Sequence, residues 1–480
     1  MRFGERRSPS VTIVALYRDV VIGRAKRPIL FRPFSRCTLD ARLPRRRSIP
    51  LLLESKHIQR PLHRPRHDDD RECDHHHDHH DRHDLTPVRK VVAYGLLADS
   101  VRMLVGATSV VYLMSRGVSL AQIGTMKAMQ AGIIMALDVP LGYLADRIGR
   151  RWIITLSVTC TAIWLGLTGW TPSIAMLFIA EAFNSFALAG LNGAFSATLL
   201  ETYQKQTRQR DFENVLGVYG RAQFGLMACA AALGAVAGSH ISPTVWWIAA
   251  ALTLMLAVST PWMLPRELAN KQNKQALSWK TDANTIREVV LTGSGMAWLI
   301  SSQVIFLLAY QIIIQFWQPL VDNLAVHRIE GWMFGATFVA ILLAQSLASH
   351  HARTAQSLWP NLILCCVAAA AIGATYLSRT TQYWPLLVFT LCLVFYSLKR
   401  IVIALLATLH RALPSRLWST GESAVSTLMR VLFIAALPGV GWFGEHHSSN
   451  LILIVGACML AATCALALGA RRFIPFRSSS

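Results

Sequence analysis

From residue 91 onward the sequence alternates apolar runs of about 18–25 residues with short polar breaks. A run of about 20 apolar residues lets one α-helix cross the hydrocarbon core of a bilayer. Backbone polar groups in lipid must be satisfied within the segment, so each run is expected to be helical. The pattern predicts twelve membrane helices, at residues 91–113, 123–144, 152–170, 173–200, 215–239, 245–264, 289–320, 331–348, 357–377, 383–407, 423–442 and 451–470.

The composition supports a membrane protein over a nucleic-acid-binding one. Of the 480 residues, 53% are hydrophobic, which is high for a soluble protein of this length. The net charge of +21 would suit nucleic acid if it were gathered on one surface. Most of the basic residues lie instead in an N-terminal extension and in the short breaks between apolar runs. We therefore expect a lipid bilayer as the surroundings and no nucleic-acid partner.

Basic residues concentrate on alternate loops, which predicts the orientation. One set of loops has only Arg116, Arg328 and Arg379. The positive-inside rule places the other set, and both termini, in the cytoplasm of a cell with an inner membrane. That second set contains Arg147, Arg150, Arg151, Lys205, Arg208, Arg210, Lys271, Lys274, Lys280, Arg287, Arg353, Arg411 and Arg416.

A longer polar segment, 265–288, separates the sixth predicted helix from the seventh. It divides the membrane region into two six-helix bundles, 87–264 and 289–473, and a short tail follows at 474–480. Two such halves with a site between them are typical of secondary transporters. No nucleotide-binding loop of the form G-x-x-x-x-G-K-[ST] occurs, so an ion gradient, expected to be of protons, is the predicted energy source.

The first 86 residues are rich in Arg, Pro and His and contain no run that could span a bilayer, so we expect disorder there. Residues 67–84 are dense in His and carboxylates and would bind Ni²⁺, Zn²⁺ or Cu²⁺ in a test tube. Alternatives are a solvated polar tail, or upstream sequence included by a misplaced start codon. The nine cysteines form no disulfide framework and no zinc-type pair. No functional metal or cofactor is expected.

The stretch 138–152, where the second predicted helix ends and the third begins, carries the most specific pattern. We predict a short turn, in which Gly149 adopts a backbone conformation that a Cβ would resist and Gly142 allows close helix approach. Asp146 can accept hydrogen bonds from the free N–H groups at a neighbouring helix start. Three arginines hold the turn on the cytoplasmic side, namely Arg147, Arg150 and Arg151.

Residues 142–151 read G-Y-L-A-D-R-I-G-R-R, which resembles the signature loop G-x-L-A-D-R-x-G-R-R of the major facilitator superfamily. Two further segments resemble family patterns: 116–119 (R-G-V-S) after the first helix, and 413–423 (L-P-S-R-L-W-S-T-G-E-S) before the eleventh. The resemblance covers about 91–473. It implies an all-α membrane protein with twelve transmembrane helices in two six-helix pseudo-symmetric bundles. It also implies a monomer that works by alternating access.

The resemblance further implies a set of contacts that we call the cytoplasmic latch. Asp146 would lie at the N-terminus of the eleventh helix, near 419–422, and Arg150 would pair with Glu201. The latch would hold the halves together in the outward-open state and part when they rock. Exposed charge pairs are weak, so the latch would bias the populations of the two states.

Ionisable residues inside the predicted helices are candidates for the transport site, because a charge in the bilayer is costly unless paired or hydrated. Three carboxylates are predicted to couple transport to protons: Asp99, Asp138 and Glu181. The alternatives are structural. Asp99 shares a helix face with Arg102, which allows a local salt bridge. Asp138 could be the partner of Arg102 or Arg221.

Cations and amides are the candidates for substrate binding. A guanidinium suits bidentate binding of a carboxylate, and a helical stripe of glutamines can hydrogen-bond a polar ligand. Snorkelling of basic side chains to the headgroups and interhelical hydrogen bonds of the glutamines are the alternatives. The candidates are Arg102, Arg221, Gln311, Gln315, Lys399, Arg400 and Arg430.

These observations predict a proton-coupled secondary transporter for a small organic molecule, with a carboxylated metabolite or siderophore as the expected substrate class. The signature loop resembles that of drug and metabolite exporters and favours export. The fifth helix lacks the Pro of the antiporter pattern G-x-x-x-G-P-x-x-G-G. Uptake by symport is the alternative, and a non-transporting membrane sensor or accessory protein is another. No HExxH motif or nucleophile–base pair indicates an enzyme.

Overall fold

A computed structural model describes residues 86–473, apart from 171–172, 207–211, 238–241, 266–293, 325–330, 353–357, 378–383, 413–417 and 448–449. These residues belong to one unit of the chain, His83–Ser480. The predictions for the N-terminal extension, the 265–288 linker and the C-terminal tail fall almost wholly outside the described ranges.

Within those ranges every regular element is an α-helix. The helices are α1 (Thr86–Gly106), α2 (Ser109–Ser115), α3 (Leu120–Ile148), α4 (Arg150–Trp170), α5 (Ile174–Gln206), α6 (Phe212–Ala237), α7 (Pro243–Met263), α8 (Ser294–Leu324), α9 (Gly331–Ala352), α10 (Leu358–Leu377), α11 (Trp384–Ala412), α12 (Trp418–His446) and α13 (Asn450–Phe473).

The helices confirm the predicted all-α, twelve-span organisation. Nine of the described helices are long and apolar enough to cross a membrane, and α1 with α2 forms a tenth span bent by 42°. The apolar parts of α10 and α13 are shorter, at Pro360–Ala374 and Gly456–Gly469. Most helices extend a turn or so beyond the predicted runs, because polar residues at the membrane surface can continue the i→i−4 hydrogen bonds.

The helices form two groups, α1–α7 and α8–α13, which contact each other mainly through two pairs of helices. Helix α3 packs against α12, and α6 packs against α9, while α2 also contacts α8. Within the first group α4 packs on α5 and α7, and within the second α8 packs on α13 and α9 on α11. Space between the two groups is therefore bounded mainly by α3, α5, α8, α11 and α12.

The predicted turn at 138–152 is wrong in extent. Helix α3 continues to Ile148 and α4 begins at Arg150, so only Gly149 leaves the helical path. Gly149 has a φ of +99° and donates its N–H to the Ala145 carbonyl, which ends α3. A side chain at Gly149 would be strained by this φ, whereas the rest of the stretch has no reason to leave the helix.

The close helix approach predicted at Gly142 is also wrong for this conformation. A Cβ at Gly142 would meet no described atom within 4 Å. The close approach of α3 lies at its opposite end, where a Cβ at Gly124 would come within 2.5 Å of the Leu437 carbonyl oxygen of α12. A Cβ at Gly441 of α12 would likewise collide with the carbonyl oxygen of Leu120.

Helices α3 and α12 thus converge at one end of the bundle, whereas Gly142, towards the other end of α3, makes no such close contact with a described atom. We call these the Glu445 end and the Asp146 end, after the residue that lies at each. At the Glu445 end the Glu445 carboxylate of α12 accepts a hydrogen bond from the Ala121 N–H in the first turn of α3, at 3.2 Å. Apolar side chains from both groups, including Ile123, Ile312 and Leu437, close this end.

Candidate functional site

Two adjoining cavities lie between the two groups of helices, with volumes of about 540 Å³ and 370 Å³. A small organic molecule needs a pocket of about this size. The second cavity also has an aromatic wall that includes Trp164 and Trp317. The residues common to both linings are Lys127, Gln130, Leu188, Gln311 and Gln315.

An ion pair between Asp138 and Arg430 joins α3 to α12 across the two groups. The Arg430 Nη1 donates to the Asp138 Oδ2, and the two side chains are 19% and 31% exposed, with Arg430 the more buried. The other oxygen of the same carboxylate, Oδ1, is buried and has no hydrogen-bond partner among the described residues. Arg430 also lines the larger cavity. Neither Arg102 nor Arg221, the partners considered from the sequence, takes this position.

A second ion pair, between Lys127 and Glu181, lies deep in the first group of helices. The Lys127 Nζ donates to Glu181 Oε1 at 2.7 Å, and the Asn184 amide donates to the same oxygen at 3.0 Å. Arg102 donates to the Asn184 Oδ1 at 2.8 Å, so one polar network connects α1, α3 and α5. The Glu181 side chain is only 4% exposed.

Lys127 was missed in the sequence analysis, although a signal was present. A lysine inside an apolar run is costly unless it is paired. Along α3 it shares one face with Gln130, Ile134 and Asp138, at spacings of three, seven and eleven residues. Lys127, Gln130 and Ile134 all line the larger cavity. A polar stripe on an otherwise apolar helix was therefore visible.

We expect Lys127→Met to destabilise the protein markedly, because it leaves the buried Glu181 carboxylate without its cation. Breaking a buried pair costs about 3–5 kcal/mol, which should lower the apparent melting temperature in detergent by about 5 °C or more. Asp146→Asn is the matched control, since it breaks the Asp146–Arg150 pair, whose carboxylate is 70% exposed. Adding Glu181→Gln to Lys127→Met should recover most of the loss. Equal melting temperatures for Lys127→Met and Asp146→Asn would contradict the prediction.

Asp99 and Arg102 are held by other helices. The Gln223 amide donates to Asp99 Oδ2 at 2.6 Å, and the Tyr219 hydroxyl lies 3.4 Å from the same oxygen. The Arg102 guanidinium lies over the Trp164 ring, 5.3 Å from its centroid. Arg102 lines the smaller cavity, whereas Asp99 lines neither cavity.

The remaining substrate-binding candidates divide into two sets. Gln311 and Gln315 face both cavities. Three cations do not line either one: Arg221, Lys399 and Arg400.

Lys399 and Arg400 contact side chains of the protein. Lys399 lies over the Phe224 ring, 5.1 Å from its centroid. Arg400 donates to the Asn361 Oδ1 at 2.9 Å and to the Tyr396 hydroxyl at 3.2 Å. The structure therefore brings Arg102, Gln311, Gln315 and Arg430 to the cavities and leaves the other three candidates outside the two linings.

The signature-loop residues lie at the Asp146 end. Arg150 Nη1 is 2.7 Å from Glu201 Oε2, so the pair implied by the family resemblance is present between α4 and α5. The Asp146 side chain is 70% exposed and lies 3.5 Å from Arg150. Arg147 lies over the Tyr143 ring at 4.6 Å, and Arg151 is half-buried. The contact of Asp146 with 419–422 stays a prediction, and an exposed Asp146 fits halves that are apart at this end.

Comparison with known proteins gives a family match and a fold match. The model of the Major Facilitator Superfamily matches residues 91–429. The crystal structure of the nucleoside transporter NupG has a TM-score of 0.63 at 14% identity, covering 80% of this chain and 98% of that one. A bacterial homolog of the human lysosomal transporter Spinster, in an inward-facing and occupied conformation, has a TM-score of 0.64 at 12% identity, with 81% and 96% covered. No curated protein sequence matches the chain.

Proposed function

The chain belongs to the Major Facilitator Superfamily, and we propose that this secondary transporter carries a small organic anion together with protons by alternating access. The family makes it a multi-pass membrane transporter and not an enzyme. The ion pair between Asp138 and Arg430, which spans the two groups of helices beside the cavity, is the observation that carries the proposal.

Cations at and behind the cavities support an anionic substrate. Among the described residues, no carboxylate oxygen lies within 4 Å of Arg102, Lys399 or Arg400, whose contacts are to amide, hydroxyl and aromatic groups. Cations around a low-dielectric cavity attract anions. The guanidinium of Arg430 suits bidentate binding of a carboxylate, so a carboxylated metabolite or a carboxylate-type siderophore fits the site.

Charge balance in the pair supports coupling to protons. A proton on Asp138 neutralises the carboxylate and leaves the Arg430 guanidinium available to a substrate anion. By linkage, the proton and the anion then bind together more favourably than either binds alone. The Lys127–Glu181 pair offers the same chemistry in the first group of helices. Asp99 lies behind the cavity wall, so it supports this coupling less directly.

Favourable joint binding means that proton and anion move in the same direction. With an inward proton gradient the expected outcome is uptake by symport, which the sequence left as the alternative. Export stays the second candidate, because the signature loop resembles that of exporters. The basic loops support a cytoplasmic location of the Asp146 end, both termini in the cytoplasm and residence in an inner membrane.

We expect proteoliposomes containing the purified protein to acidify internally when an external organic anion is added. Lactate, succinate and citrate are suitable probes, and a trapped pH-sensitive dye reports the proton movement. Internal acidification indicates symport, and internal alkalinisation indicates exchange of protons against the anion and supports export. A protein that moves none of these anions, with or without a pH gradient, contradicts an organic-anion carrier and favours a sensor. Liposomes without protein are the control.

A further inference from the structure

The first membrane span is broken between α1 and α2, at residues 107–108, where the chain bends by 42°. A break leaves backbone groups without their i→i−4 partners. In an unbroken helix the Val110 N–H would bond to the Gly106 carbonyl. Here both groups bond instead to one side chain, the amide of Gln318 on α8.

The Gln318 amide fits between the two backbone groups with both of its polar atoms used. Its Oε1 accepts from the Val110 N–H at 2.8 Å and from the Val111 N–H at 3.4 Å. Its Nε2 donates to the Gly106 carbonyl oxygen at 2.8 Å. Gln318 is 2% exposed, so these bonds are made without competition from bulk water. The intrahelical bonds of the Val110 and Val111 N–H groups have been exchanged for three bonds to a residue of the other group of helices.

We propose that Gln318 is a positioning residue of the transport cycle, which couples the bend in the first span to closure of the Glu445 end. When the two groups part at this end, Gln318 withdraws with α8. The Val110 N–H can then bond directly to the Gly106 carbonyl, and the span straightens without leaving that pair unsatisfied. The bent and straight forms are therefore two discrete arrangements, each belonging to one state of the bundle. This inference rests on the alternating-access cycle proposed above, and on no particular substrate.

Gln303 provides a matched control on the same helix. It is buried, at 5% exposure, and its Nε2 has no hydrogen-bond partner in the described part of the chain. Gln303→Leu therefore removes a buried amide from α8 without removing a bond across the break. Gln318→Leu removes a buried amide of the same size together with all three bonds.

The test is hydrogen–deuterium exchange of the full-length protein in detergent, resolved for two segments. In Gln318→Leu we expect residues 119–124, at the start of α3 beside Glu445, to exchange about tenfold faster than in the unaltered protein. The Val110 amide should stay protected, because Gly106 becomes its acceptor. Gln303→Leu should leave both segments unchanged.

A different pattern overturns the proposal. If residues 106–112 exchange faster in Gln318→Leu while 119–124 do not change, Gln318 is only a local cap of the bend. If neither segment changes, it does not contribute to closure at all. Should Gln318→Leu not fold, Gln318→Asn retains an amide on a shorter side chain and should give a smaller shift in the same direction. Exchange needs no substrate, so the expected exchange pattern in a protein whose unaltered form moves no organic anion counts against the proposed function alone.

Discussion

Gly124→Leu is expected to prevent closure of the Glu445 end and to lower transport by about 10–100-fold or more. A Cβ at Gly124 would lie 2.5 Å from the Leu437 carbonyl oxygen, and no rotation of a side chain can relieve an overlap with backbone. Overpacking of this kind costs about 1–3 kcal/mol in the closed state alone. A cost of this size lowers the population of the closed state by about 10–100-fold. The bundle should be held open at this end, and uptake of an anion into proteoliposomes measures the loss.

Gly132 is the matched control for this substitution. It lies on α3 two turns further along, and its Cβ would meet only the Ile434 Cδ1 of α12, at 3.7 Å, which is ordinary contact. Gly132→Ala should therefore transport at nearly the normal rate, whereas Gly124→Ala should already be impaired. If both alanine variants transport equally, close packing at Gly124 is not required for the cycle.

Substitutions in the Asp138–Arg430 pair are expected to separate binding from coupling. Arg430→Gln removes the cation at the cavity and leaves Asp138 unpaired, so transport should fall by about 100-fold or more. Asp138→Asn should bind anions at least as well, because Arg430 is then permanently available, but its flux should no longer depend on pH. Counterflow of labelled anion, measured between pH 5.5 and 8, separates the two effects.

The exposed Asp146–Arg150 pair supplies the control, and Asp146→Asn should keep the pH dependence of the unaltered protein. Retention of that dependence by Asp138→Asn would move the coupling role to Glu181 or Asp99. The combined exchange Asp138→Arg with Arg430→Asp should recover folding, since the pair can re-form, without recovering normal transport.

Sequence reasoning predicted the helical spans well, because each depends on a local apolar run. It predicted the Arg150–Glu201 pair through the signature motif. It could not pair Asp138 with Arg430, since 292 residues separate them and only the packing of α3 on α12 brings them together. The role assigned to Gly142 was wrong for this conformation, because close helix approach depends on which end of the bundle is closed.

Lys127 shows a different kind of failure. It was one charge inside an apolar run, and its partner Glu181 lies on another helix. Periodicity could place Lys127 on the same face as Asp138, but not state which helix that face meets. The bend in the first span could not be predicted from the sequence either. Its backbone groups are satisfied by Gln318, more than two hundred residues away.

The antiparallel packing of α3 and α12 has a consequence for the energetics of the whole cycle. Each of these helices has a carboxylate residue in its last turn, and the one on α12, Glu445, already meets the first turn of α3. Asp146 is predicted to meet the start of α12. Every rocking movement would then exchange the contact of Glu445 with the start of α3 for the equivalent contact of Asp146 with the start of α12. Two resting forms would then differ little in free energy, so modest differences in solute concentration could set the direction of turnover.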